Sequence, residues 1–459
     1  MNLMELNDKR VLVVGLGKSG VASALFLKAH GARVTVSDTK SGDELRNEIP
    51  VLLDHGITVE TGGHGERTFR GQDLIVVSPG VPIDAPALVQ ARALGEPVIG
   101  EIELAARFLL GPIVAITGSN GKTTTTTLTG EILTAAGLPA LVGGNIGTPA
   151  ISLVERAKPE TVTVLEVSSF QLETIQMFRP KVAVVLNVTP DHLDRHGSFE
   201  AYVDAKARIF ENQDGNDFAV LNADDPTCAA MASRTQAQVF WFSRQKEVTQ
   251  GAWVRDGNIL FRDGRGENRQ REIMLASEIP LKGAHNLENV LAAVCAGALM
   301  GCAPEKIRQA VREFKAVEHR LEFVATVGGV DYYNDSKATN VDATIKALES
   351  FPANIHLILG GKDKGSDYSV LNDLLRQRVK RVYTIGAAAE KIEAQIAPVK
   401  NGGVEIVHAE TLENAIRKAH AAAQPGDVVL LAPACASFDQ FKNYEHRGQM
   451  FKDIVRELK

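Results

Sequence analysis

Cysteine is scarce in this sequence of 459 residues: Cys228, Cys295, Cys302 and Cys435 are the whole set, and no two form a C-x-x-C pair. That pattern offers neither a disulfide framework nor zinc-ligand spacing and fits reduced thiols in the cytoplasm, the expected location. Cys295 and Cys302 stand seven apart in an apolar stretch, a core spacing. Aromatic residues make up only 5% of the chain while glycine occurs 40 times, a balance expected of an α/β protein with many tight turns. Positive charge is not in excess either. With a formal net charge of -6, nothing global points to nucleic acid, and an anionic ligand must be held by helix N-termini and individual Lys or Arg side chains. No run approaches the roughly 20 apolar residues of a membrane span. Val11–Leu16 is apolar, but Gly17 and Gly20 follow it without a cleavage-site pattern, so no secretory leader is expected.

What is present is an alternation of short apolar strands with amphipathic segments, the pattern of parallel sheets covered by helices. The length predicts about three domains. A first, Rossmann-like block spans 1–100, with strands at Val11–Val14, Arg33–Ser37, Leu74–Val77 and Pro97–Ile99 and a helix over Val21–Ala29. A central block with a mainly parallel sheet, of P-loop ATPase type, spans 101–316. Its strands are predicted at Ile113–Ile116, Thr163–Glu166, Val182–Leu186 and Phe218–Leu221, with edge hairpins over Trp241–Arg271 and a helix over Asn289–Met300. A third, doubly wound and again Rossmann-like, spans 317–459, with strands at Val330–Tyr333, Ile355–Leu359, Arg381–Ile385, Val404–Ile406 and Val428–Leu431.

The strongest local signal is the run from Ile113 to Thr124, which reads I-V-A-I-T-G-S-N-G-K-T-T. A buried strand leads into Gly118-Ser119-Asn120-Gly121 and then into a helix opening at Lys122. Small residues let backbone N–H groups converge on phosphate oxygens, the helix N-terminus adds its dipole, Lys122 supplies charge and Thr123 a hydroxyl for magnesium. The spacing is G-x-x-G-K-T, shorter than the usual phosphate loop. A second glycine pattern, Gly15-x-Gly17-x-x-Gly20, follows the first strand, and Asp38 ends the next. That geometry accepts any pyrophosphate, that of a nicotinamide cofactor or of a UDP-sugar alike, with Asp38 approaching a ribose or base or capping the following helix.

Two acid-containing segments end predicted strands, where α/β sheets place their ligands. Glu166 opens E-V-S-S-F-Q-L-E and could hold magnesium beside Thr123; Asp191 and His192 lie in N-V-T-P-D-H-L-D-R and could contact metal or phosphate. Lys206, on a predicted helix over Tyr202–Phe210, reads from spacing alone as part of a solvated face.

Taken in order, T-G-S-N-G-K-T, G-G-N-I-G at Gly143–Gly147, the Glu166 and Asn187–Arg195 segments, A-H-N-L-E-N at Ala284–Asn289, E-H-R-L-E at Glu318–Glu322 and N-D-S-K-A-T-N at Asn334–Asn340 resemble the Mur ligases, the ATP-dependent amino-acid ligases of peptidoglycan precursor synthesis. The likeness covers nearly the whole chain. The N-terminal glycine block, Leu359–Lys364 and Ala432–Phe441 resemble the D-glutamate-adding branch, and the D-N-P-R motif of the diaminopimelate-adding branch is absent.

The resemblance implies a monomer that joins D-glutamate to UDP-N-acetylmuramoyl-L-alanine at the expense of ATP, with two magnesium ions. It assigns ATP to Gly118, Ser119, Asn120, Gly121, Lys122, Thr123, Thr124, Asn286, Asn289, Arg320 and Asp335. It assigns the UDP-substrate to Gly15, Leu16, Gly17, Asp38, Thr39, Asn145 and His192, and the amino acid to Thr339, Lys364, Ser437 and Tyr444. Tyr444 stands where phenylalanine is expected, a change in the pocket wall. Metal would be met by Thr123, Glu166, His192 and Lys206, the last as a carbamylated lysine; Lys122, Glu166, His192 and Lys206 form the implied catalytic set. A folylpoly-γ-glutamate synthetase would share the ATPase and C-terminal domains but not the first block, a nicotinamide oxidoreductase leaves Lys122 and Glu166 unused, and a nucleotide-binding regulator would not need the catalytic set.

Overall fold

The computed structural model describes residues 4–65, 67–264, 270–281, 283–315 and 317–458. The expected domain limits at 1, 316 and 459, and positions 265–269 of the predicted hairpin region, lie outside the described residues. Among those described, three sheets account for the strands. The first holds β1 (Arg10–Val14), β2 (Arg33–Ser37), β3 (Thr58–Glu60), β4 (Leu74–Val77) and β5 (Val98–Gly100), all parallel, in the order β3-β2-β1-β4-β5. Val11–Val14 and Leu74–Val77 are buried along their whole length, as central parallel strands covered on both faces must be.

The second sheet holds β6 (Ile113–Thr117), β7 (Ala140–Gly144), β8 (Val162–Glu166), β9 (Val182–Val185), β10 (Phe218–Asn222), β11 (Gln238–Ser243), β12 (Gly251–Arg255), β13 (Asn258–Arg262) and β14 (Gln270–Leu275). Its order is β14-β13-β12-β11-β10-β9-β6-β8-β7. From β7 to β12 neighbouring strands run parallel, whereas β12, β13 and β14 pair antiparallel. The hairpin region therefore begins at Gly251 and not at Trp241, which lies on the parallel strand β11. Asp256 (φ 50°) and Gly257 (φ 77°) make the two-residue turn between β12 and β13, a left-handed pair that matches the strand twist.

The third sheet holds β15 (Glu322–Val327), β16 (Val330–Asn334), β17 (Ile355–Gly360), β18 (Val379–Ile385), β19 (Glu405–Glu410) and β20 (Val428–Leu431), in the order β15-β16-β20-β17-β18-β19. Only the β15–β16 pair is antiparallel. The chain divides into two compact units, residues 1–278 with 288–313, and 279–287 with 314–459. The first unit thus contains two of the three sheets.

Two helices start earlier than their apolar periodicity predicts. The first runs Lys18–Ala29, with Gly17 as its extended N-cap. Gly20 is inside it, because a Cβ there would lie 1.8 Å from the Gly15 carbonyl oxygen. The helix predicted over Asn289–Met300 runs Ala284–Leu299, so Asn286 and Asn289, three apart, share one face. The Lys206 helix is Phe199–Ala207, continued by a 3-10 turn at Arg208–Phe210.

The first two sheets are joined by the helix Glu101–Ala106. Glu101 is 1% exposed; one carboxyl oxygen accepts the Ile151 N–H at 2.8 Å and the other has no hydrogen-bond partner. Burial pushes this carboxyl from 4.5 up to about 7, against the opposing pull of the Ile151 and Ala150 N–H groups. Folding therefore favours the protonated acid. The stability it contributes is fully present below the ordinary carboxylate range and is lost as pH rises through about 7. Glu101→Gln keeps an acceptor for Ile151 and removes the titration. In denaturant unfolding at pH 5 and pH 8, wild type should lose roughly 2 kcal/mol more than the variant between the two. Equal pH dependence would contradict the assignment.

Candidate active site

Strand β6 ends at Thr117, and the loop that follows needs two backbone conformations open mainly to glycine: Gly118 has φ 151° and Gly121 φ 85°. Gly121 is the N-cap of the helix Lys122–Ala135, so the N-terminal end of that helix faces the loop. The loop is held from outside by the segment after β9. Ser119 N–H donates to the Asn187 carbonyl at 2.9 Å, and Asn120 N–H donates to Asn187 Oδ1 at 2.8 Å. Asn187 Nδ2 donates back to the Asn120 carbonyl at 3.1 Å. Ser119 Oγ donates to the Thr189 carbonyl at 2.9 Å and lies 3.1 Å from the Tyr202 hydroxyl. Lys122 Nζ curls over the loop onto the Gly118 and Ser119 carbonyls at 2.8 and 2.9 Å.

Around this loop the first unit gathers the other expected groups. Thr123 Oγ1 donates to Glu166 Oε2 at 2.8 Å, and Asn145 Nδ2 donates to Glu166 Oε1 at 3.3 Å. Glu166 is 2% exposed at the C-terminal end of β8. Thr124 is buried behind Thr123. Lys206 is buried, and its Nζ donates to the Gly118 carbonyl at 2.9 Å. Burial, and then the nearby Lys122 charge, drives its pKa well below the ordinary lysine value. The amine is thus held toward its neutral, nucleophilic form. The solvated-face reading of Lys206 is corrected: the helix turns it inward, against the Tyr202 ring at 4.5 Å.

His192 takes the left-handed conformation (φ 54°) at the N-cap of Leu193–His196. Its Nε2 lies 3.7 Å from Asp191 Oδ2 and its ring stands edge-on to Phe170. Asn289 packs on the loop so closely that a Cβ on Gly121 would meet its Oδ1 at 2.1 Å.

The N-terminal glycine loop is organised by Asp38. Its Oδ2 accepts the Leu16 N–H at 2.6 Å and its Oδ1 the Lys40 N–H at 2.8 Å, so the carboxylate shapes the loop from beneath. Thr39 and Gly17 are exposed beside it, while Gly15 and Leu16 are buried.

The second unit carries the remaining candidates. Asn286 is among its residues and is buried. Asp335 follows β16 directly; its Oδ1 accepts the Leu321 N–H at 3.3 Å, and burial raises its carboxyl to about 6 against the opposing Arg320 charge. The buried Arg320 Nε has no hydrogen-bond partner. Thr339 sits between the Asp335 turn and Asn340, which caps the helix Val341–Glu349. Lys364 is exposed, Ser437 is buried, and Tyr444 opens the helix Tyr444–Glu457.

Sequence reasoning passed over Arg447. It is wholly buried and donates to Ser336 Oγ, the Ser336 carbonyl and the Cys435 and Ala436 carbonyls at 2.7–3.4 Å. It thereby ties the Thr339 and Ser437 loops together. Its acceptors lie on two loops, 11 to 111 residues away, so no local pattern marks it.

Three family models match in chain order: the Mur ligase MurD-like N-terminal domain at 9–100, the Mur ligase middle domain at 116–297 and the Mur ligase glutamate ligase domain at 319–435. A relative from Koribacter versatilis, named UDP-N-acetylmuramoylalanine–D-glutamate ligase, is 68% identical over 99% of both chains. The chain belongs to the Mur ligase family. An Acidobacterium capsulatum relative of the same name is 62% identical over 98% of this chain and 97% of its own. Among solved structures, a pseudomurein peptide ligase type C from Methanothermus fervidus matches with TM-score 0.62 at 21% identity over 98% of this chain and 100% of its own. A UDP-N-acetylmuramate-alanine ligase from Thermotoga maritima matches with TM-score 0.61 at 19% identity over 98% and 99%. These share the three-domain Mur ligase fold.

Gly121 is the tightest point of the loop. Gly121→Ala forces a left-handed backbone on alanine and pushes Asn289 away. It should weaken ATP binding by roughly tenfold, about 1.4 kcal/mol, in calorimetric titration with magnesium. Unchanged affinity would show that the Gly121–Asn289 contact plays no part in holding nucleotide.

Proposed function

We propose that this Mur ligase couples D-glutamate to UDP-N-acetylmuramoyl-L-alanine, releasing ADP and phosphate, in peptidoglycan precursor synthesis. One observation carries the choice of substrates: 68% identity along 99% of the chain to a relative named for that reaction. In functional terms, 1–100 binds the UDP end, 101–316 binds ATP and 317–459 receives the amino acid. Among the described residues no helix is long and apolar enough to cross a membrane. We place the enzyme in the cytoplasm, as a monomer.

The substrate's terminal carboxylate attacks the γ-phosphorus of ATP, giving an acyl phosphate and ADP. The D-glutamate amine then attacks the acyl carbon, and phosphate leaves from the tetrahedral intermediate. The chain's part is positioning and charge stabilisation. The Gly118–Thr124 loop and its helix N-terminus receive the phosphates, Lys122 swings from its loop carbonyls onto the β- and γ-oxygens, and Asn286 and Asn289 meet the rest of the nucleotide. Arg320 and Asp335 take the γ-phosphate and ribose regions. The glycine loop shaped by Asp38, with Thr39, receives the UDP end, and Asn145 and His192 the muramoyl end. Thr339, Lys364, Ser437 and Tyr444 form the amino-acid pocket. Asp191 and solvent are the candidates to take the amine's proton.

The hydroxyl of Thr123 and carboxylate of Glu166 are hard oxygen donors 2.8 Å apart and suit a magnesium ion held with its nucleotide. Lys206 as an amine offers such an ion nothing. Its neutral form can add carbon dioxide, losing a proton and forming a carbamate whose oxygens, with His192, suit a second ion. Bound magnesium supplies neutralisation of phosphate charge.

The test is phosphate release from ATP and magnesium with UDP-N-acetylmuramoyl-L-alanine and D-glutamate, L-glutamate or no amino acid. Release that requires D-glutamate, with the coupled product formed, is expected; release with a different amino acid alone would overturn the substrate assignment. Lys122→Met should lower kcat by at least about a hundredfold in the same assay.

A further inference from the structure

Arg195 has no role in the site as described so far, yet its side chain reaches between the two sheets of the first unit. It follows His192 by one turn, its N–H donating to the His192 carbonyl at 3.1 Å. Its guanidinium lies 3.9 Å above the centre of the Phe170 ring, on the helix Ser169–Leu172 just after Glu166. From there it donates to the carbonyls of Pro79 and Val81, each at 3.0 Å, with Gly80 at 3.5 Å. Glu173 lies 3.8 Å away.

The segment that Arg195 grips is itself packed on the N-terminal glycine loop. Ser78 Oγ donates to the Gly15 carbonyl at 2.8 Å. A Cβ on Gly15 would lie 2.7 Å from Val81 Cγ2. A continuous path of hydrogen bonds and packing therefore runs from Gly15 through Ser78–Val81 to Arg195, and on to His192 and Phe170. Forked, charge-assisted donation to several carbonyls with a ring beneath is a geometry that only arginine supplies.

We propose that Arg195 is a positioning residue that sets the separation between the glycine loop and the His192 end of the site, and so matches the cleft to one long ligand, a UDP-sugar carrying an acyl carboxylate. It rests on the function proposed above. A ligand anchored at both ends is sensitive to that separation, whereas ATP and the amino acid are not held by the glycine loop.

Arg195→Lys keeps the charge and loses the fork. Its KM for UDP-N-acetylmuramoyl-L-alanine should rise roughly tenfold, and its Kd for that ligand by the same factor in calorimetry, while the KM values for ATP and D-glutamate stay within about twofold. Ser78→Ala breaks the next link, and in a double-mutant cycle the two changes should be non-additive in Kd. Equal rises in all three KM values, an unchanged Kd, or additive effects would overturn the proposal. Calorimetry with wild type separates the two readings: a chain that binds the UDP-sugar without D-glutamate-dependent turnover defeats the proposed function and still tests Arg195, and a chain that binds no UDP-sugar defeats both.

Discussion

A turn that leads into a helix N-terminus has neither strand nor helix hydrogen bonds of its own, so it must be held in shape by its neighbours. The Gly118–Gly121 loop is held in this way. Asn187 accepts its Ser119 and Asn120 N–H groups and donates to the Asn120 carbonyl, and Lys206 and Lys122 donate to its carbonyls. Thr123 is pinned by Glu166. The order of the central strands follows from the same need: β6 lies between β8 and β9, so the loops after all three meet at one end, as parallel strands allow.

The cost of this arrangement is a lysine buried with another lysine nearby. A permanently charged ammonium at Lys206 would be poorly accommodated, and its depressed pKa expresses that. The carbamate proposed for Lys206 forms from the neutral amine and puts an anion near Glu166 where the sequence encodes a cation. On this proposal the reaction depends on that conversion of Lys206.

The sequence made the parallel strands, the phosphate loop and the Glu166 and His192 segments legible, because each rests on local pattern: buried β-branched runs, paired glycines, acids at strand ends. β2, β4 and β20 have the predicted limits. Strands β3, β7 and β15 were not legible, β3 for its shortness, β7 because Gly143 and Gly144 read as loop, β15 because it is a half-exposed edge. Lys206 could be read only through resemblance, since its burial depends on the loop it faces. The roles of Arg195 and Arg447 were not legible, for a related reason. Their partners include backbone carbonyls more than a hundred residues away for Arg195 and on two separate loops for Arg447, and no side-chain identity records such acceptors. Asp38 was legible as a residue but not in its action, which is on the loop's own N–H groups.

The most direct measurement is carbon-13 NMR of the protein equilibrated with labelled bicarbonate, beside Lys206→Arg. The account predicts a carbamate resonance in wild type that is absent from the variant and fades with activity when carbon dioxide is removed. A fully active wild type with no such resonance, or a resonance that survives in the variant, would contradict it.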